Sequence, residues 1–330
     1  MNAFSAGRLL PLGLLIVVGW GTLVQTSFAQ DYPNKPVRVV VPFSPGAGTD
    51  LMARVIAQRL SEAWGQQFIV ENRAGGAAGT IGSAFVAKAP ADGYTLLMAN
   101  NSSHNVAPNL YKNMPYDAIR DFVPVHLAGR VPQVLAVHPS LPVRDVKGFI
   151  ALARSRPGQL SYSSSGSGSS LHLAGELFKS MAKIDILHVP YKGASLGMTD
   201  LVAGQVQASF ASISTTLPFV KQGRLRALGV TTLSRFALLP DVPTISEAAL
   251  PGYELINWIG LVAPAQTPRD VISKLNAEIA RWAGDAENQK KMAAVGIVIE
   301  PGKPAEFGEM LVKGLSMTGK LMAVIGIKQE

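Results

Sequence analysis

Cysteine is absent from this 330-residue chain. Disulfides, a thiol nucleophile and Cys-ligated zinc or iron–sulfur sites are therefore excluded, and the fold has to stand on its packed core. Charge is sparse as well: Asp, Glu, Lys and Arg make up 16% of the residues. They form no basic run interleaved with aromatics, which argues against a nucleic-acid partner. The formal net charge of +8 is scattered singly, and its field mildly favours anionic ligands. The five histidines (His104, His126, His138, His172 and His188) show neither H-x-H nor H-E-x-x-H spacing, so no metal centre is expected. His172 and Glu176 share a helix face, but a hydrogen-bonded or cleft-lining histidine explains them better.

The chain's long apolar run is confined to its first residues. Arg8 precedes the stretch from Leu9 to Val18, broken by Pro11 and Gly13, and Ser27-Phe28-Ala29 offers a small-x-small cleavage site. Residues 1–29 thus read as a secretory signal peptide cleaved after Ala29. A membrane anchor would need about 20 apolar residues. The mature chain is expected to be soluble, to lose one positive charge with Arg8, and to suit two lobes at about 300 residues. A secreted chain without disulfides fits a bacterial periplasm.

What remains alternates short apolar runs with amphipathic helical patterns. Strands are expected at 37–41, 68–70, 95–99, 134–137, 160–163, 186–189, 206–210, 225–230 and 259–262. Helices are expected at 51–64, 80–88, 146–154, 171–182 and 196–202. Pro268 to Trp282 reads as a helix with Thr267 as N-cap, and another runs from Pro304 to Met322. This alternation predicts an α/β protein with mostly parallel sheets.

The first strand, Val37 to Val41, leads through a Pro/Gly-bearing turn into a helix whose N-cap is offered by Thr49 or Asp50. The turn holds Phe43, Ser44, Gly46, Ala47 and Gly48. Such a turn aims free backbone N–H groups and the positive end of a helix dipole beyond the strand's carboxyl end. A second loop of this kind is Ser163 to Ser170, with Ser165, Gly166, Ser167, Gly168 and Ser169 ahead of His172. A third is Tyr191 to Ser195, with Lys192 and Gly193, and a weaker fourth runs from Asn100 to His104, with Ser102. In open α/β sheets, ligands sit where such loops gather. With no carboxylate among them beyond Asp50, a carboxylate- or phosphate-binding cleft is expected. A helix N-terminus contributes up to ~2 kcal/mol to a partly buried anion, and a hydrogen bond to a charged group ~1.5–3 kcal/mol. Two helix ends and a few such bonds reach the ~8 kcal/mol of micromolar binding without an arginine clamp.

Enzyme signatures fail. Gly46 to Leu51 starts like a dinucleotide fingerprint but lacks the third glycine. Gly314 to Lys320 has P-loop spacing, yet Leu321 stands where Ser or Thr should bind Mg²⁺. A hydrolase built on Ser167 or Ser169 with His172 would still need an acid to orient the base.

Several segments together carry a family resemblance: Tyr32 to Phe43, Gly48-Thr49-Asp50, Val70-Glu71-Asn72-Arg73, Asp92 to Leu97 and His188 to Gly193. They continue with Arg226-Ala227-Leu228, Pro240 to Thr244 and Trp258-Ile259-Gly260. Over essentially the whole mature chain, the protein resembles the extracytoplasmic substrate-binding proteins of tripartite tricarboxylate transporters, the Bug receptors. The resemblance implies a two-lobed periplasmic binding protein, type II-like, a Venus flytrap with its ligand cleft between the lobes. It further implies no catalysis, no cofactor, a small carboxylate as ligand, and delivery to membrane subunits by a monomeric receptor. The family's binding loops map onto Phe43–Asp50 and Ser165–His172.

Two departures matter. Ala47 replaces the middle of three glycines that usually precede Thr-Asp, which is tolerable unless that residue needs φ > 0. Many relatives carry an acid after the phenylalanine of the strand at 206–210, where Ala211 and then Ser212 stand here. That absence suggests a carboxylate without an amine: a dicarboxylate, hydroxy-acid or aromatic acid. Crossings between lobes are expected in 121–131 and 253–262, giving lobe 1 as 30–130 plus 255–330 and lobe 2 as 131–254. An orphan receptor signalling to a membrane sensor is the alternative function, and a secreted hydrolase a more distant one.

Overall fold

Two long strands organise the molecule. The computed structural model describes Met1 and residues 32–300, 302–327 and 329. The expected signal peptide and its cleavage site therefore lie outside the described residues, Met1 apart. The chain opens with β1 (Val37–Val41), α1 (Gly48–Trp64), β2 (Phe68–Asn72), α2 (Thr80–Ala87), β3 (Thr95–Asn100), a π-helical turn (Ser102–Val106) and α3 (Ala107–Leu110). β4 (Phe122–Val137) then carries it into α4 (Val146–Ser155), β5 (Ser161–Ser164), α5 (Ser170–Ala182), β6 (Leu187–Pro190), α6 (Ala194–Val202), β7 (Ala208–Ser212), α7 (Ile213–Lys221), β8 (Arg226–Val230) and α8 (Ile245–Ala248). It returns through β9 (Ile256–Pro264) to α9 (Arg269–Ala283), α10 (Ala286–Ala294) and α11 (Pro304–Val324).

The strand order is β2-β1-β3-β9-β4-β7-β5-β6, with β8 beside β4. β4 belongs to both halves. Its residues Phe122 to Pro132 pair antiparallel with Pro264 to Ile256 of β9, and Gln133 to Val137 pair with β7. Pro132, which has no N–H to give a ladder, stands where the partner changes. At about 3.3 Å per residue, this strand reaches ~50 Å, enough to serve two sheets. The sheets are therefore mixed rather than mostly parallel. β1 with β2 and β3, and β5 with β6 and β7, are parallel, whereas every pairing of β4 and β9 is antiparallel. Sequence alternation could not show this, because β4 is buried on both faces over most of its length and so carries no period-two pattern.

Each sheet has cores on its two faces. Val37, Val39 and Val41 face Met52, Ile56 and Leu60 of α1 and Leu275 and Ile279 of α9. Val40 and Leu97, on the opposite face, meet Trp258, Phe307 and Leu311. The second sheet packs Tyr162 and Phe210 against Phe149 of α4 and Phe178 of α5. Gly175 makes that possible, because a Cβ there would lie 2.2 Å from the Tyr162 ring. α11 starts on the first sheet's core through Phe307 and Leu311 and ends on the second sheet's core through Met322. Val106 and Leu110 join the second core in the same way. Residues Tyr32–Glu330 accordingly form one compact unit.

Two N-caps differ from expectation. α1 begins at Gly48 with Ala47 as N-cap, so Thr49 and Asp50 lie inside its first turn. α9 begins one residue late, with Pro268 as N-cap, because the Thr267 hydroxyl donates to the Pro264 carbonyl at 2.8 Å instead of capping. α7 and α10 were not anticipated. The run Thr215-Thr216-Leu217-Pro218 hides α7 behind β-branched residues and a proline.

Candidate functional site

The turn after β1 is held by Asp50. Its carboxylate accepts from the Gly46 N–H at 3.0 Å, from Arg54 Nε at 3.0 Å and from Asn72 Nδ2 at 2.9 Å. Asn72 Nδ2 also donates to the Phe43 carbonyl at 3.0 Å, closing the loop on itself. Burial works to raise the Asp50 carboxyl, but the hydrogen bonds from Arg54, Gly46 and Asn72 outweigh it and hold the group below the usual carboxylate range. Asp50 is thus a fixed anion that shapes the loop and does not face the cavity. Gly46 supplies the left-handed turn at φ +87, while Ala47 sits at φ −85, so its methyl costs nothing there.

The second loop is fixed by its own helix. Ser169 caps α5 by accepting from the His172 N–H at 3.1 Å, and His172 Nδ1 accepts from the Gly168 N–H at 3.3 Å. The His172 ring stacks on His188 at 4.1 Å. His188 Nε2 in turn meets the Ser164 hydroxyl at 2.6 Å. Burial, and then the neighbouring His172, push the His188 pKa down to about 4. The Ser169 hydroxyl accepts from the backbone N–H of His172 and so serves as a helix cap, which is not the serine–base pairing that the distant hydrolase alternative would need. No G-x-S-x-G elbow was expected, yet Gly193-Ala194-Ser195-Leu196-Gly197 has that spacing. Ser195 lies in the first turn of α6 and donates to the Pro45 carbonyl at 3.0 Å, with no strained backbone and no base.

The loops of the two sheets meet. Ser44 Oγ donates to the Lys192 carbonyl at 2.8 Å, and the Ser170 N–H donates to Ser102 Oγ at 2.9 Å. Between them lies a cavity of about 30 Å³. Its first wall is Phe43, Ser44, Ala47, Gly48 and Thr49; Asn100 and Ser102 follow. The opposite wall is Ser165, Ser170, Leu171, Ala194 and Ser212, and Asn257 closes it. Four helices of nine residues or more, α1, α5, α6 and α7, start at this cavity. No charged side chain lines it. Such an arrangement binds an anion through backbone dipoles alone.

A larger cavity of about 480 Å³ shares Phe43 and Ser165 with the small one and adds Gly166, Lys192 and Gly193 on one side and the Gly75–Gly79 turn on the other. Among the anticipated residues, Gly46, Asp50, Gly168, Ser169 and His172 hold the two loops by hydrogen bonds among themselves, and Ser167 lies between Gly166 and Gly168 without lining either cavity. Ala211 lies elsewhere: its side chain packs into an apolar cluster with Met198, Leu201 and Val206. The neighbouring Ser212, N-cap of α7, is what reaches the cavity. The missing acid at Ala211 therefore does not decide whether the ligand carries an amine. Leu171 and Ala194 fall inside the expected Ser165–His172 and Tyr191–Ser195 loops, whereas Asn257 lies outside every expected loop. Asn257 sits in a strand run with no local motif, and only the pairing of β9 with β4 brings it to the site. Its neighbour Trp258 points the other way and packs edge-on against Phe307 at 5.5 Å.

Two sheets joined by crossing strands, with helix starts gathered between them, define a solute-binding protein. Residues 52–301 match the model of the tripartite tricarboxylate transporter family receptor, and the chain belongs to that family. A protein encoded in the tcbD–tcbE intergenic region of Pseudomonas sp. strain P51 is 44% identical over 280 residues, 84% of this chain and 83% of its own. The structure of Rpa4515 of R. palustris with adipate is similar at a TM-score of 0.89 and 38% identity, covering 91% of this chain and all 100% of that one. MatC of Rhodopseudomonas palustris with bound malate is similar at 0.83 and 30% identity, covering 88% and 99% of the two chains. The protein is accordingly a solute-binding receptor and not an enzyme.

Proposed function

We propose that this protein captures a small carboxylate in the periplasm and delivers it to the membrane subunits of a tripartite tricarboxylate-type transporter. The observation that carries this is the meeting of four helix starts on a cavity without a charged side chain. Adipate and malate in two structurally similar proteins support the ligand class. The contacts we assign to the ligand are the Phe43–Thr49 turn, Ser102, Ser165, Ser170 and Ser212. Lys192, Gly193 and Gly166 border the larger cavity through which it enters.

The receptor works as a monomer of two lobes, residues 30–130 with 255–330 and residues 131–254. β4 and β9 are the hinge strands, and α11 straps across both cores. The leader of residues 1–29 takes it to the periplasm and is removed after Ala29. The ligand is a dicarboxylate, hydroxy-acid or aromatic acid. Mass spectrometry of acids co-purifying with periplasmic protein, followed by thermal-shift screening, tests this. Stabilisation by carboxylates and not by their amides supports it; indifference to every acid, with stabilisation by sugars or amines, overturns it.

A further inference from the structure

The cavity is rich in donors, yet two of its neighbours bring acceptors. Asn257 lies on β9 directly across from Val131 of β4. It is 5% exposed and lines the cavity, and its Oδ1 is buried with no hydrogen-bond partner. Gln133, two residues beyond Val131, projects from the same face of β4, since successive strand residues alternate sides. It is 0% exposed; Nε2 donates to Ser170 Oγ at 3.3 Å, while Oε1 is also buried without a partner. Buried amide oxygens are rarely left unpaired, and each such exception in a native fold needs a reason.

A carboxylate can take the helix N–H groups but cannot satisfy a carbonyl oxygen. With its amide turned as it is here, the Asn257 oxygen would repel a second carboxylate placed against it. A ligand that fits both halves carries an anion and, beside it, a neutral hydrogen-bond donor. An ammonium is the other candidate donor. It would be buried beside a wall without an anionic side chain, because the nearby Asp50 is committed to Arg54, Asn72 and the Gly46 N–H.

We propose that Asn257 selects hydroxy acids: the ligand's carboxylate occupies the helix starts and its hydroxyl donates to Asn257 Oδ1. This rests on the carboxylate reading above and narrows it. A site built to pair with a hydroxyl discriminates against the analogue lacking it, since the buried acceptor is then stranded. A discrimination of roughly tenfold to a hundredfold is expected from one such bond.

Calorimetric titration with matched pairs tests the assignment: malate against succinate, lactate against propionate, mandelate against phenylacetate, with aspartate as the amine analogue of malate. In whichever pair binds, the hydroxy acid is expected to bind at least tenfold tighter, and aspartate weaker than malate. Asn257→Leu should bring the two members of that pair to within about threefold of each other. Asn257→Ser, which restores an acceptor, should recover part of the preference, and thermal melting of both variants separates lost folding from lost selectivity. Equal binding of both members by the unaltered protein overturns the selection by Asn257 while leaving the carboxylate reading intact. A preference that survives in a folded Asn257→Leu variant overturns it as well. Failure of every acid in the panel, with binding of an uncharged solute instead, removes the carboxylate reading and this assignment together.

Discussion

The Ser195 hydroxyl donates to the carbonyl of Pro45 at 3.0 Å, although 150 residues separate them. With the Ser44–Lys192 bond beside it, this latches the turn after β1 to the turn before α6 using neutral, exposed groups. Such a bond contributes about 0.5–1.5 kcal/mol. Ser195 does not line the small cavity, so Ser195→Ala is expected to weaken ligand affinity about threefold to tenfold in calorimetry while the ligand-free melting temperature barely moves. A loss in melting temperature with unchanged affinity would mean the bond serves folding rather than closure.

Gly193 tests the same closure more severely. Its φ of +146 suits glycine, and a Cβ there would lie 2.6 Å from the Ser44 hydroxyl. Gly193→Ala is expected to hold the two turns apart and lower affinity more than tenfold. Small-angle scattering should then show no contraction when a carboxylate is added at concentrations that contract the unaltered protein.

Asp50 predicts a pH signature. Its carboxyl is held below the ordinary range in the folded protein, so its stabilisation is present above the unfolded pKa near 3.9 and is lost as pH falls through the folded value. Asp50→Asn should therefore destabilise the protein at pH 7, and the gap between the two should close below about pH 4. Urea unfolding across that range reads it directly. Affinity should fall in parallel, because the Gly46 N–H and Asn72 lose their anchor.

Three histidines act in a higher pH window, with the same sign. Burial pushes His104 down to about 3 and His126 to about 4, and burial together with His172 pushes His188 to about 4. All three fold neutral, whereas the unfolded chain protonates them near pH 6.5. The unfolded state thus binds more protons between about pH 6.5 and 4, and stability falls as pH drops through that window. His188→Gln should make this slope shallower by about one proton while keeping a partner for Ser164. An unchanged slope would show that His188 is protonated in the fold.

How far these features could be read from residues alone depended on whether their cause was local. Val37–Val41 and the turn after it declare themselves, because a β-branched run, a glycine at φ +87 and an amphipathic helix are all short-range signals. The placement of Ser165, Ser102 and Ser212 together follows from the same rule about strand ends. Asn257 and Gln133 gave no such sign; their meaning arises from the register of β4 against β9 and from the switch of partner at Pro132. His172 and Asp50 looked like ligand contacts by position, yet each is spent on a backbone N–H of its own loop. A short polar residue in a helix's first turn serves the loop as readily as a ligand, and only the direction of its side chain distinguishes the two.

The central claim is that an acid group is gripped by helix-start N–H groups rather than by a basic side chain. A crystal structure with a tightly bound carboxylate tests it most directly. The account predicts carboxylate oxygens about 2.7–3.2 Å from main-chain nitrogens at the start of α1 and of at least one helix of the second sheet. A carboxylate paired instead with Lys192 or Arg130, away from Gly48 and Ser170, would contradict it.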